Sequence, residues 1–263
     1  MQDIKITLLQ IPLAWEDKTE NLNFFSQKLA ALTEVGDVVV LPEMFSTGFS
    51  MNSAALAESM DGEAVSWMKK EAAKKNCILC GSLIIKENTE YYNRLIWMRP
   101  DGSCSFYNKR HLFRMANENE HYSEGKQKLI VECKGWKICL QVCYDMRFPV
   151  WSRRTQKEDY DLLIYVANWP QRRSHAWKSL LVARAIENQA YVVGVNRIGN
   201  DGNNIPYSGD SVALNFLGEA LTAPLAHTEF CGSITLNKTA LLEFRKSFPA
   251  HLDADAFALK GLD

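Results

Sequence analysis

Three apolar runs in this chain each end in a residue able to do chemistry. DVVVL is followed by Pro42-Glu43, KICLQV by Cys143-Tyr144-Asp145, and DLLIYVA by Asn168-Trp169-Pro170. A fourth segment, SCSFYN, runs into Lys109-Arg110-His111. Open sheets of parallel strands gather ligands at the carboxyl ends of their strands. If these strands run parallel, an acid, a thiol, an amide and an ammonium share one edge, a set that suits acyl transfer. A thiolate is a strong nucleophile, but a free thiol titrates at about 8.5 and needs activation. Glu43 is placed to take its proton, a task suited to a buried carboxylate. Lys109 offers positive charge to the oxyanion of a tetrahedral intermediate, and the backbone N–H of Tyr144 offers a second donor. Histidine is the familiar partner of a catalytic cysteine, yet of five histidines only His111 lies just beyond a buried strand. Taken singly, each residue has an ordinary structural reading: a Glu after Pro as a cap, a Lys in YNKRH as surface charge, a strand-end Cys as filler. Their joint placement at one edge points to catalysis.

The elements that must hold these residues follow from periodicity. IKITLLQ reads as a strand, and TENLNFFSQKLAALTEVG as a helix with Leu22, Phe25, Leu29 and Leu32 on one stripe, ending at Gly36. DVVVLPEM is a buried strand, DGEAVSWMKKEAAKKN a helix, and CILCGSLII and YYNRLIWMR are strands. Pro100-Asp101-Gly102 signals a hairpin turn into SCSFYNK. The second half repeats the theme. It runs through the strand GWKICLQVCYD, a helix opening at Pro149 in RFPVWSRRTQKED, the strand DLLIYVANW, the helix HAWKSLLVARAIENQA and the strand YVVGVNRIG. DSVALNF, EALTAPLA and EFCGSITL are further strands, and KTALLEFRKSF closes as a helix. Strands this apolar need cover on both faces, so two sheets pack together with helices outside. The expected class is α/β, a four-layer α-β-β-α sandwich. No composition break divides residues 1–263, which are read as one domain.

Charge is near balance, 30 Lys+Arg against 31 Asp+Glu, which leaves no electrostatic footprint for nucleic acid or an anionic membrane. No apolar stretch approaches the roughly 20 residues of a membrane-spanning helix. The first residues read as a strand and not as a signal peptide. Seven cysteines lie mostly in apolar runs, which points to reduced thiols and a cytoplasmic location. Cys77-x-x-Cys80 invites a metal or redox reading, but positions three apart on a strand face opposite ways, and no second pair completes four ligands. The motifs of serine hydrolases, P-loops and dinucleotide folds are missing.

The segments LPEMFSTGF (41–49), YNKRHLF (107–113) and CYDMRFP (143–149) resemble the Glu, Lys and Cys motifs of the nitrilase superfamily of carbon–nitrogen hydrolases. The resemblance covers essentially the whole chain and implies the same sandwich, paired into a homodimer, with no metal or organic cofactor. It makes Cys143 the nucleophile, Glu43 the general base and Lys109 the transition-state stabiliser. A further family Glu stands seven residues before a Gly, which selects Glu118 ahead of Gly125, with Glu120 as its near alternative. The motifs CYDMRFP and ANWPQRRSHAW look most like the omega-amidase branch, whose substrates are dicarboxylate monoamides of the 2-oxoglutaramate and 2-oxosuccinamate type. Such a substrate needs a cation for its distal carboxylate, and Arg forks suit carboxylates. Arg172 and Arg173 are the candidates, with Arg147 read rather as a structural ion pair near Cys143. Phe45, Phe113, Tyr144 and Trp169 are candidate pocket walls. The expected partners are a small amide and water. The alternatives are another branch of the superfamily, an N-carbamoyl amidase or nitrilase, and a non-catalytic interaction protein on the same fold. A binding module has no need to bury such costly charges together.

Overall fold

A computed structural model describes residues 2–222 and 224–259. The first half runs β1 (Ile4–Gln10), α1 (Lys18–Ala31), β2 (Val38–Val40), α2 (Ser53–Leu56), α3 (Glu63–Lys75), β3 (Ile78–Glu87), β4 (Glu90–Met98) and β5 (Cys104–Asn108). After α4 (Glu118–His121) come β6 (Leu129–Cys133), β7 (Trp136–Val142), α5 (Pro149–Ser152), β8 (Leu162–Ala167), α6 (Ser174–Asn188) and β9 (Tyr191–Asn196). The chain ends through β10 (Ile198–Asn200), β11 (Pro206–Ser208), β12 (Val212–Leu214), β13 (Ala220–Thr222), β14 (Phe230–Leu236) and α7 (Lys238–Ser247).

The strands form two six-stranded sheets, ordered β14-β1-β2-β3-β4-β5 and β13-β12-β9-β8-β7-β6, beside a small β10-β11 ribbon. At the centre of each sheet three strands are parallel, β1-β2-β3 and β7-β8-β9. β4 is antiparallel to β3, and β5 to β4. Two reversals return β5 to the direction of β2, so the residues after β2 and β5 leave by the same edge.

Period-2 alternation sorts side chains between layers. Leu8, Val40, Cys80 and Trp97 of the first sheet meet Ile138, Ile164 and Val193 of the second in the central core. Leu9, Val39, Leu79 and Ile96 face outward and are covered by Phe25 and Leu29 of α1 and Met68 of α3. On the other side α6 lies so close to its sheet that a Cβ at Gly194 would stand 2.7 Å from a Leu181 methyl. The four layers are those expected. Cys77 and Cys80 fall into different cores and do not converge.

Two helices are shorter than their patterns. The first stops at Ala31, short of Gly36, because the chain must turn into β2. Gly36 donates to Thr7 Oγ1 at 2.8 Å, and a Cβ there would lie 2.5 Å from the Lys5 carbonyl oxygen. The helix expected through RFPVWSRRTQKED covers only Pro149–Ser152. Beyond it the Arg154 N–H is taken by Asn188 Oδ1 at 2.9 Å instead of a helical carbonyl. Of EALTAPLA, the strand covers Ala220–Thr222, and Ala223 lies outside the described residues. Residues 1 and 260–263 of the expected domain lie outside them too. Among the described residues no helix is long and apolar enough to cross a membrane.

Candidate active site

The edge predicted from sequence is assembled from both sheets. Glu43 follows β2, Lys109 follows β5, Cys143 follows β7 and Asn168 follows β8. Both loops that turn sharply at this edge do so through a non-glycine residue in the left-handed region, Met44 at φ 42° and Cys143 at φ 45°. Each such residue costs about 1–3 kcal/mol and persists only where its surroundings over-determine it. Met44 is held by its N–H donating to Ser82 Oγ at 2.8 Å and by packing with Ile84 and Tyr122.

Lys109 sits between two carboxylates. Its Nζ donates to Glu43 Oε1 at 2.8 Å and to both oxygens of Glu118 at 2.9 Å, and all three side chains are buried. Asn93 of β4 bridges the carboxylates, donating from Nδ2 to Glu43 Oε1 at 2.8 Å and Glu118 Oε1 at 3.3 Å. The backbone N–H of Asn168 donates to Glu43 Oε2 at 2.8 Å, and its side-chain amide donates to the Glu43 carbonyl. The Phe113 N–H donates to Glu118 Oε2 at 2.5 Å. These donors orient both carboxylates, which is what lets ions this deep survive desolvation. Glu118 is fully buried whereas Glu120 is exposed.

The charges are strongly coupled. Burial works against the Lys109 ammonium, but the Glu118 and Glu43 carboxylates outweigh it and hold its pKa above the ordinary lysine range. Burial raises the Glu118 carboxyl, with Lys109 opposing and Glu43 adding to the rise. Burial also pushes the Cys143 thiol well above its ordinary value, Glu43 reinforces the rise and Lys109 opposes it. A thiol held this high acts as a nucleophile only where a base takes its proton.

Lys109 and Cys143 open onto a cavity of about 480 Å³, whose walls include Phe113, Tyr144 and Trp169. Phe45 is not part of it. That ring is fully buried beneath the outer helices, 5.4 Å from the ring of Phe25 and 5.6 Å from that of Trp67. The chain reverses at Met44 and sends Phe45 to the opposite face, where a Cβ on Gly81 would stand 2.9 Å from its ring. Phe49 takes the wall position instead, its ring centroid 5.1 Å from Lys109 Nζ.

Arg147, Arg172 and Arg173 all line the same cavity. Among the described residues Arg147 makes none of the ion pairs expected of it, and it lies 4.9 Å over the Trp169 ring. Arg173 lies 5.2 Å over Phe113, and partial burial together with Arg172 and Arg147 lowers its pKa. Arg172 is exposed. No ion pair with a carboxylate involves any of the three among the described residues. Asn93 and Phe49 escaped the sequence reading. Asn168 carried a signal, its place directly after a buried strand, while Asn93 lies inside a strand and carried none.

The family model for carbon–nitrogen hydrolases matches residues 5–239. Omega-amidase YafV of Escherichia coli K12 is 49% identical, over 98% of this chain and 100% of its own length. The 2-oxoglutaramate amidase of Bacillus subtilis is 35% identical, over 82% of this chain and 84% of its own. The solved structure of XC1258 from Xanthomonas campestris, a CN-hydrolase superfamily protein with an arsenic adduct in its active site, matches with a TM-score of 0.96. It is 43% identical and the match covers 98% of this chain and 100% of that one. With its sandwich of two sheets and a buried Glu–Lys–Cys edge, this chain belongs to the carbon–nitrogen hydrolase family and is a hydrolase of amides.

Proposed function

We propose that the chain is an omega-amidase, hydrolysing the terminal carboxamide of small dicarboxylate monoamides such as 2-oxoglutaramate and 2-oxosuccinamate. The observation that carries this reading is that three arginines line the cavity with Lys109 and Cys143, none of them paired with a carboxylate among the described residues. Unpaired Arg groups at a concave site suit a substrate carboxylate, which they can grip bidentately. Relatives named omega-amidase and 2-oxoglutaramate amidase support it.

In the proposed mechanism Cys143 Sγ attacks the carboxamide carbon while Glu43 accepts the thiol proton. Lys109 and the Tyr144 N–H stabilise the oxyanion. Glu43 then passes the proton to the nitrogen, the C–N bond breaks and ammonia leaves a thioester on Cys143. Water adds to the thioester with Glu43 taking its proton, and the sulfur departs reprotonated as the acid is released. Glu118 holds Lys109 from the far side. Tyr144, Phe113 and Trp169 wall the acyl chain, and Arg172 and Arg173 take the distal carboxylate, with Arg147 beside them.

The proposal extends to one domain, a homodimer and a cytoplasmic location. Seven free thiols support a reducing compartment, and the dimer follows from the family resemblance. Ammonia release from a panel of ω-amides, N-carbamoyl compounds and nitriles tests the substrate class, with Cys143→Ala as the control. Dicarboxylate monoamides should lead the panel by orders of magnitude in kcat/KM, and the variant should be folded and inactive. Preference for nitriles or carbamoyl compounds would overturn the assignment, and near wild-type turnover by the variant would overturn the thioester route.

A further inference from the structure

The turn that presents the thiol is tied to the strand end that presents the ammonium through one buried carboxylate. Asp145, fully buried two residues after Cys143, accepts three hydrogen bonds and faces a ring nitrogen of His111. Its Oδ2 accepts from the Val142 N–H at 3.0 Å, on the nucleophile side, and from the Tyr107 hydroxyl at 2.7 Å, on the lysine side. Its Oδ1 accepts from the His111 N–H at 2.9 Å and faces His111 Nδ1 at 2.8 Å. The Tyr107 hydroxyl in turn accepts from the Arg110 N–H at 3.1 Å and from Trp151 Nε1 at 3.0 Å. The residues on both sides of Lys109 are thus fastened to the residue before Cys143, across the gap between the two sheets. The far side of the turn is gripped as well, with Arg184 donating to the Met146 carbonyl from Nε at 3.1 Å and Nη2 at 2.7 Å.

A left-handed Cys143 needs such over-determination, and acyl transfer needs the oxyanion donor and the nucleophile in register to a fraction of an ångström. We infer that Asp145, with Tyr107 as its bridge, is a positioning residue for amide hydrolysis, setting the ammonium of Lys109 against the sulfur of Cys143. It touches neither substrate nor reacting atoms. The inference requires only an amide hydrolase and not the dicarboxylate specificity proposed above.

Tyr107→Phe is the primary test, because it removes one hydroxyl and keeps the ring. Hydrolysis of succinamate and labelling of Cys143 by iodoacetamide are measured together, in a Cys104→Ser background because Cys104 is exposed. Tyr191→Phe is the control: that buried hydroxyl donates to the Asn237 carbonyl at 3.0 Å, at the other end of the parallel strands. Tyr107→Phe should lower kcat about tenfold or more with KM within about twofold, since a misplacement near 1 Å can cost ~100-fold. Cys143 labelling should slow in parallel, and Tyr191→Phe should leave kcat and labelling unchanged. Asp145→Asn, which turns an amide NH₂ toward donors, should be more severe; if it does not fold, Tyr107→Phe still decides. Wild-type kcat and labelling in Tyr107→Phe, or equal losses in both Phe variants, would overturn the inference. If wild-type protein ignores succinamate, the substrate reading fails, while the labelling ratio still tests Asp145.

Discussion

Glu43→Gln separates the roles of charge, proton transfer and shape in this site. Glu43 accepts from Lys109 and Asn93 on Oε1 and from the Asn168 N–H on Oε2, each at 2.8 Å. Glutamine has one acceptor, so if its oxygen faces Lys109 and Asn93, its NH₂ meets the Asn168 N–H donor to donor. Leaving that buried group unpaired costs about 1–3 kcal/mol. Stranding a buried ion completely costs about 3–5 kcal/mol, but Lys109 keeps Glu118 and escapes most of that. A net loss of about 2–3 kcal/mol corresponds to a fall in Tm of roughly 4–12 °C, so the variant remains folded at 25 °C. Removing the base should lower kcat by ~10²–10⁴-fold, about 2.7–5.4 kcal/mol in the barrier. The thiol should move the other way. Burial is the main reason the Cys143 pKa is raised, and the charge of Glu43 adds to it, as Glu118 does more weakly and against Lys109, so removing the Glu43 charge lowers that pKa. The pH midpoint of Cys143 alkylation by iodoacetamide, followed on the labelled peptide, should therefore fall while amide hydrolysis collapses. Hydrolysis within tenfold of wild type, or a midpoint that stays or rises, would refute the assignment of Glu43 as base.

Single Arg→Ala substitutions at 147, 172 and 173 should split by role. At least one should raise KM for a dicarboxylate monoamide about ten- to hundredfold, the worth of a charge-assisted hydrogen bond, with little change for an amide lacking the distal carboxylate. Unchanged KM in all three would remove the carboxylate argument. Asp161→Asn tests stability alone. Asp161 accepts from the Lys137 N–H at 2.9 Å and pairs with Lys238 and, at 3.1 Å, with Arg245, whose pKa burial and Arg154 already hold down to about 10. Its loss should destabilise the fold by about 3–5 kcal/mol in urea unfolding, while kcat per folded molecule stays at the wild-type value.

How much was legible follows from the range of each interaction. Strand identity, layer and exit edge are local matters, written in the period-2 pattern and in the residue that ends each apolar run. That is why Glu43, Lys109 and Cys143 could be named together before any contact was known, and why Cys77 and Cys80 could be set apart. Glu118 against Glu120 could not be settled by spacing, because in a short turn the buried position depends on what reaches it, here Lys109 and the Phe113 N–H. Asn93 reads as one more polar residue in a strand, and its meaning lies in two carboxylates delivered from elsewhere. Phe45 and Phe49 are equally aromatic and four residues apart. Ser82, from a neighbouring strand, holds the Met44 turn and sends one into the core and leaves the other at the cavity. Which chemical groups stand at the edge of which strand is written locally in the chain, because backbone pairing and hydrophobic alternation are read within a few residues. How those groups are oriented and walled emerges on folding, because buried ions and cavity walls are set by partners far apart in the chain.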